Sequence, residues 1–390
     1  MRTMLIALAG LAVATLGFPA ATSAATLHPG DILVAGTSGS AGTIIQVDPA
    51  TGVQTLIASG HGLEDPWGLA VGSDGRIFVA DDSALGVFTV DPSTGAVTPF
   101  SMDPTFGALG LAIAPDGRLI VSDYVSGKIY AVDPTSGARS QIASGGGMVH
   151  PSHLAVTSTG RVYVADENAD KLFGFDLASG VVSPVSSGGN FDNPYGVALT
   201  AAGLPLVVDY DSFKPADQGG IFSIDPVTGA QTLISSGSFF EDPIALARSF
   251  NGPLVVAEQD EPAPSGAVIT VDPSTGVQTR LASGGELHSP DGVTVVPPVC
   301  FGRYASIVGG PTPDVLTGTP GPDVIASVNG KDKVNGLAGN DLICGGNGKD
   351  KLRGGTGRDK IKGENGADKL IGGKGKDVLR GGKGRDVQVQ

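Results

Sequence analysis

From Asp31 to Pro297 the chain alternates apolar and polar positions in short runs, and the runs recur in blocks of 42 to 49 residues. A run such as Gly42-Thr-Ile-Ile-Gln-Val47 ends at a marker, Val-Asp-Pro-x-Thr-Gly or a close variant. Its aspartate stands at Asp48, Asp91, Asp133, Asp176, Asp225 and Asp272. Asp-Pro-x-x-Gly is turn chemistry, because proline presets φ and glycine accepts positive φ. A second run, such as Gln54-Thr-Leu-Ile-Ala58, follows each marker, so every block holds a hairpin. Two more strands are legible beside it. Pro66-Trp-Gly-Leu-Ala-Val71 leads through Ser73-Asp-Gly75 into Arg76-Ile-Phe-Val-Ala-Asp81, with counterparts at 109–123, 151–166, 194–209 and 243–258. One four-stranded sheet of this size cannot bury both faces, whereas radial repetition can, which predicts a propeller. The earliest strand, Asp31-Ile-Leu-Val-Ala35, lacks the partner that precedes it in other blocks. That partner stands at the far end as Pro290-Asp-Gly-Val-Thr-Val295. Pairing the two closes a ring of six blades without an open edge.

After Tyr304 there is no aromatic residue and no histidine, and the period drops to nine. Aspartates stand at Asp314, Asp323, Asp332, Asp341, Asp350, Asp359, Asp368, Asp377 and Asp386. Two residues before them stand Gly321, Gly330, Gly339, Gly348, Gly357, Gly366, Gly375 and Gly384. Two residues after them comes one aliphatic side chain: Leu316, Ile325, Val334, Ile343, Leu352, Ile361, Leu370 or Leu379. The most regular copies begin at Gly345 and Gly354. Early copies depart from the pattern: Thr312 replaces a glycine, and the Ser327-Val328 turn lacks its glycine pair. Calcium takes six to eight oxygens from carboxylates and backbone carbonyls, and glycine lets the backbone bend until its carbonyls converge. A transition metal would want His or Cys; this segment has no His and one Cys. The pattern therefore points to Ca2+.

Composition adds a compartment and a division of charge. Arg2, the apolar stretch Leu5 to Phe18 and the small residues up to Ala24 read as a signal peptide over residues 1–24. That core is too short to span a membrane, and no later stretch is long enough. A secreted protein follows, with 25–298 as the propeller, 299–313 as a linker or cap strand and 314–390 as the repeats. Two cysteines, Cys300 and Cys344, allow one bridge in an oxidising compartment, worth about 4 kcal/mol on the chain-entropy model; free buried thiols are the alternative. Net charge is −14, but from Gly321 onward there are 14 Lys and Arg against 9 Asp and Glu. So acidic a body disfavours nucleic acid as a partner. The basic tail, with copies such as Lys349-Asp350-Lys351, suits anionic cell-surface polymers, the plainer alternative being solubility alone.

The nonapeptides resemble the RTX, or hemolysin-type, calcium-binding repeats. The resemblance implies a parallel β-roll in which two nonapeptides complete a coil and aspartates 18 apart stack. Asp332, Asp350, Asp368 and Asp386 would then line one edge, and Asp323, Asp341, Asp359 and Asp377 the other. Calcium would lie between turns, held by these aspartates with the glycines named above. The propeller, on lines such as Asp65-Pro-Trp-Gly-Leu-Ala-Val71, resembles the NHL and SMP-30/gluconolactonase-like group. Lactonases of that group hold a divalent metal with a Glu, an Asn and an Asp. Here Glu64 and Asp291 match two of those positions loosely, while Pro66-Trp-Gly68 and Pro194-Tyr-Gly196 stand where the Asn is expected. The predicted fold is all-β, a six-bladed propeller followed by a parallel β-roll.

Asp81, Asp123, Asp166, Asp209 and Glu258 end equivalent strands on one side of the ring. They are either a polar site at the channel mouth or side-chain caps of the turns that follow. His61, His150 and His288 fall in loops entering the same face. No nucleophile elbow, P-loop or zinc-helix motif appears. Two functions stand: a secreted calcium-binding protein with a propeller platform, or an extracellular metal-dependent hydrolase or lyase acting at the channel mouth.

Overall fold

The computed structural model describes residues 25–212, 218–259 and 266–390; the expected signal peptide lies outside them. Among the described residues every regular element is a β-strand, and no helix is long and apolar enough to cross a membrane. Six four-stranded antiparallel sheets form the ring. Its closure is the one expected. Ser289–Val295 is the inner strand of the sheet continued by Ile32–Ser38, Ala41–Val47 and Gln54–Ser59, with Ile32 opposite Val295. Pro66–Val71, Ala108–Ile113, Pro151–Val156, Pro194–Leu199 and Pro243–Arg248 begin the other five blades and, with Ser289–Val295, surround the channel.

Apolar filling between blades holds the ring. Phe78, Ala80 and Val87 of one blade meet Phe106, Leu119 and Val132 of the next, all buried. Each large side chain so buried contributes about 1.5–3 kcal/mol. The Asp-Pro turns serve this packing too. The Asp48 carboxylate accepts the Ala50 and Thr51 amides at 3.0 and 2.7 Å, and Gly52 turns the chain at φ +71°. A Cβ on Gly52 would overlap the Leu281 carbonyl oxygen of the adjacent blade. The marker glycine is thus both a turn residue and the point where neighbouring blades touch.

The C-terminal segment is a parallel solenoid. Val315–Thr317, Lys333–Ala338, Lys351–Thr356, Lys369–Lys374 and Val387–Val389 stack in one sheet. Ile307–Val308, Val324–Ala326, Leu342–Cys344, Lys360–Asn365 and Val378–Lys383 stack in the other. Every pairing is offset by 18 residues, as in Ile325 opposite Ile343 and Lys333 opposite Lys351. The core is a single file of Ile307, Leu316, Ile325, Val334, Ile343, Leu352, Ile361 and Leu370.

Cys300 and Cys344 form a disulfide, with Cα atoms 5.7 Å apart, pinning the hairpin of Val299–Cys300 and Arg303–Tyr304 to the third coil edge. Tyr304 ties that hairpin to the propeller, its amide donating to the Ser73 carbonyl and its hydroxyl to the Leu27 carbonyl, both at 3.2 Å. A cavity of about 510 Å³ runs along the channel from Trp67 and His153 to Arg303, Tyr304 and Pro322, so the start of the roll lines one end of it.

Candidate metal centre

The 18-residue offset stacks the aspartates in two ladders. In each rung one carboxylate oxygen accepts the backbone amide of the aspartate one coil earlier: Asp314 to Asp332 at 2.8 Å, Asp332 to Asp350 and Asp350 to Asp368 at 2.9 Å, Asp368 to Asp386 at 3.0 Å. The second ladder runs Asp323 to Asp341 at 3.1 Å, then Asp341 to Asp359 and Asp359 to Asp377 at 3.0 Å. The two edges are those the resemblance to the RTX repeats implied. The remaining oxygen, Oδ2, is buried and has no protein partner in Asp332, Asp341, Asp350, Asp359, Asp368 and Asp377. A buried carboxylate oxygen without a donor is costly, and six in register call for a shared counter-charge.

The glycines shape the space around these oxygens. A Cβ on Gly345 would stand 2.7 Å from Asp350 Oδ2 and 2.8 Å from the Gly363 carbonyl oxygen. A carboxylate and a carbonyl from the next coil therefore converge on the glycine Cα. Gly336 and Gly363 meet Asp341 and Asp368 with a carbonyl in the same way, and Gly354, Gly372 and Gly381 face the carboxylates of Asp359, Asp377 and Asp386. Of these, Gly336, Gly363, Gly372 and Gly381 complete the set. Those last four were not among the sequence candidates, although their offset of five residues before Asp repeats with the same period. The glycines two before Asp, from Gly330 to Gly384, have φ between +123° and +151°. They also sit on the carbonyl of the residue 18 before, as Gly366 does on Gly348. Gly321 takes part through its carbonyl, which a Cβ on Gly339 would overlap.

The donor set is carboxylate and carbonyl oxygen, in slots that glycine leaves open; at Asp332 the slot position is Ser327, whose hydroxyl donates to the Gly345 carbonyl at 2.7 Å. Such a set suits a hard divalent cation such as calcium. Among the described residues no three His, Cys, Asp or Glu side chains gather at one point. The cradle instead takes one carboxylate per nonapeptide and completes it with carbonyls.

Burial pushes the Asp341 carboxyl up to about 7 and that of Asp350 to about 6, with neighbouring carboxylates on the ladder adding to it. Asp323, Asp332, Asp359 and Asp368 move in the same direction, again chiefly by burial. An unfolded aspartate ionises near about 3.9. Between that value and 6 to 7 the folded, calcium-free roll holds more protons than the unfolded chain, so its stability falls as pH rises through this window. In chelator, circular dichroism should show more β-roll at pH 5 than at pH 8. Calcium affinity should run the opposite way, weakening as pH falls and protons compete for the same oxygens. Equal roll content at both pH values would remove the carboxylates from the account.

From Asp332 onward the residue four before each aspartate is left-handed. At four of these seven positions it is glycine, but Val328, Leu337 and Glu364 adopt φ +72°, +75° and +73°. A non-glycine residue there costs about 1–2 kcal/mol. Leu337 is 40% exposed and buries little. Leu337→Gly should therefore stabilise the roll by about 0.5–1 kcal/mol after the extra entropy of glycine, read as a higher melting temperature of the calcium-loaded segment.

The carboxylates of the propeller face are committed differently. Asp81 accepts the Glu64, Asp65 and Ala84 amides at 2.8, 3.1 and 2.8 Å. Asp166 accepts those of Val149, His150 and Ala169 at 2.7, 3.2 and 3.0 Å. Asp209 accepts those of Asp192, Asn193 and Asp211, with the Ser212 hydroxyl at 2.8 Å. Asp123 is capped by Ser126, and Glu258 accepts the Asp242 amide. Each carboxylate thus pins the loop entering its blade's inner strand, the turn leaving its own strand, or both. They are caps.

Asp291, one of the two loose matches to the lactonase-like set, is buried against Gln259, and burial pushes it up to about 8. Glu64 enters through its backbone amide. The ring nitrogens of His61 and His288 each meet a carbonyl two residues earlier in their own loops, and His150 stacks on Tyr124 at 4.5 Å. The histidine facing the channel is His153, packed on Trp67 at 6.2 Å and kept neutral by burial, which pushes it down to about 4. Around it Trp67 and Tyr195 stack at 6.0 Å, and Tyr195 and Tyr210 tilt at 6.2 Å.

Comparison with known proteins agrees with both halves. Residues 308–387 match the family model of the RTX calcium-binding nonapeptide repeat in overlapping four-copy windows. The propeller is similar to a chain in the crystal structure of a nidogen/laminin complex, with 16% identity and a TM-score of 0.56 over 68% of this chain and 97% of that one. It is also similar to virginiamycin B lyase from Staphylococcus aureus in a structure with quinupristin, at 13% identity and a TM-score of 0.47 over 65% of this chain and 84% of that one. A streptogramin B lyase structure gives 14% and 0.47 over 69% and 89%. At 16% identity the likeness to the nidogen/laminin chain is one of fold. No curated protein matches the chain.

Proposed function

We propose, for a six-bladed propeller that carries RTX calcium-binding repeats, that the protein is exported, that calcium folds its roll outside the cell, and that the propeller serves as an interaction platform. The observation that carries this reading is the register of six buried carboxylate oxygens with no protein donor. Each nonapeptide buries one aliphatic side chain, worth about 1.5–3 kcal/mol, against about 1–2 kcal/mol for ordering each of its nine backbones. Hydrogen bonds between coils offset part of that deficit. Ionised aspartates in the slot enlarge it, and calcium removes the penalty while adding binding energy. The disulfide between Cys300 and Cys344 supports an oxidising compartment.

Calorimetric titration of the full chain tests the reading. Saturable binding of several calcium ions per chain is expected at about 10⁻⁴–10⁻³ M, the range of extracellular modules. Absence of any heat or spectral change up to several times that concentration would sink it. Lys333, Lys351 and Lys369 stand in register along one exposed sheet edge. That ladder supports adhesion of the calcium-loaded roll to anionic cell-surface polymers, which salt-sensitive retention on such a polymer would reveal.

A further inference from the structure

We infer that the first two rungs of the roll are closed by the protein itself, with Arg248 of the propeller as the resident cation of the first, so that calcium sites begin only beyond them. This rests on the calcium reading above and goes beyond it by dividing the aspartates into two kinds.

The division is geometric. In the first rung Asp314 Oδ2 accepts the Gly310 amide at 2.6 Å. In the second, Asp323 Oδ2 accepts the Thr319 amide at 2.7 Å, and its other oxygen accepts the Thr319 hydroxyl at 3.0 Å. Gly310 and Thr319 both stand four residues before their aspartate, and neither is left-handed. In every later rung the residue at that offset, from Val328 to Gly382, has positive φ. No amide then reaches Oδ2 from Asp332 to Asp377. The left-handed turn is therefore what opens a rung to a cation. Strain at Val328, Leu337 and Glu364 persists because the open rung is used.

Arg248 approaches the first rung from the propeller. It ends the strand Pro243–Arg248, and one guanidinium nitrogen lies 3.3 Å from the Gly309 carbonyl and 3.5 Å from that of Val308. Its other nitrogen stands 3.2 Å from the point where a Gly310 Cβ would be, and Asp314 Oδ2 stands 3.8 Å from that point. Burial lowers the Arg248 pKa and the Asp314 charge opposes that shift. A fixed cation thus holds two carbonyls within the field of a carboxylate, the donor types proposed to hold calcium further along. Because it belongs to a folded propeller, this rung exists before calcium arrives and offers the next coil a template.

Three variants of the full chain test this by calcium stoichiometry and by hydrogen exchange in chelator. Asp323→Asn should leave the number of bound calcium ions unchanged, whereas Asp350→Asn should lower it. In chelator the Gly310 and Thr319 amides should stay protected while those beyond Val328 exchange. Arg248→Met should remove that protection and raise the calcium midpoint about tenfold, the order expected for loss of a charge-assisted hydrogen bond. An equal loss of ions in Asp323→Asn and Asp350→Asn, or an unshifted midpoint in Arg248→Met with the propeller intact, would overturn the inference while leaving the calcium reading in place. A wild-type chain that binds no calcium would instead overturn the reading on which it rests.

Discussion

In excess chelator at neutral pH, the full chain is expected to lose the parallel roll beyond its first coil and to keep the propeller. The two halves differ in what holds them. The propeller rests on apolar clusters between blades, such as that around Phe78 and Phe106, and its buried acids are tied to backbone amides. The roll rests on one file of aliphatic side chains flanked by two ladders of carboxylates. Without a cation those ladders must either ionise in a desolvated slot or take up protons. Far-UV circular dichroism should lose the share of β signal contributed by the repeats. Trypsin should cut at exposed lysines and arginines such as Lys351 and Arg353, and leave a fragment the size of the propeller with its first coil. Adding calcium before the protease should restore both the β signal and the resistance. Full β signal and protease resistance in chelator would show that coil-to-coil hydrogen bonding suffices and that calcium is an accessory.

Gly366→Ala is expected to be the most damaging single substitution in the roll. Gly366 has φ +147°, where an L side chain rarely sits, and an added Cβ would overlap the Gly348 carbonyl one coil away and stand 3.0 Å from Asp368 Oδ1. That oxygen accepts the Asp350 amide, so the methyl group would part the coils and disturb the carboxylate whose other oxygen faces the slot. A cost of about 4 kcal/mol or more is expected, against a few tenths at the exposed neighbour Ala367. Solenoid coils depend on their neighbours, so the damage should spread toward the C-terminus and spare the coils held by the disulfide. Hydrogen exchange of the calcium-loaded variant checks this: amides after about residue 348 should exchange faster, those near Cys344 should not. An unaltered exchange map would mean that the coils can part by a methyl group without losing their register.

Much of this molecule is readable before it is folded. The Asp-Pro-x-x-Gly turns and the alternating runs led to four strands per block, and the orphan strand at Pro290–Val295 led to its pairing with Ile32. The nine-residue register of aspartate carried the resemblance to the RTX repeats, and that resemblance implied ladders 18 residues apart. The glycine list was incomplete: Gly336, Gly363, Gly372 and Gly381 carry the same geometry as Gly345 and Gly354, and only the spacing could have found them. The capping acids were legible as a set but not in role. Whether Asp166 faces a ligand or the amides of Val149 and His150 depends on where a loop 16 or 17 residues away comes to rest.

The periodic features follow from sequence alone because each repeat has the same local chemistry and one way to bury its apolar face, so counting repeats counts blades and coils. What tertiary structure decided are meetings between residues that share no period. Arg248 reaches the roll from a blade some 60 residues away. His153 faces the channel while His61, His150 and His288 stay in loops. Val328, Leu337 and Glu364 are held left-handed against their own preference. Proximity of that kind is set by how whole sheets pack, and no local pattern encodes it.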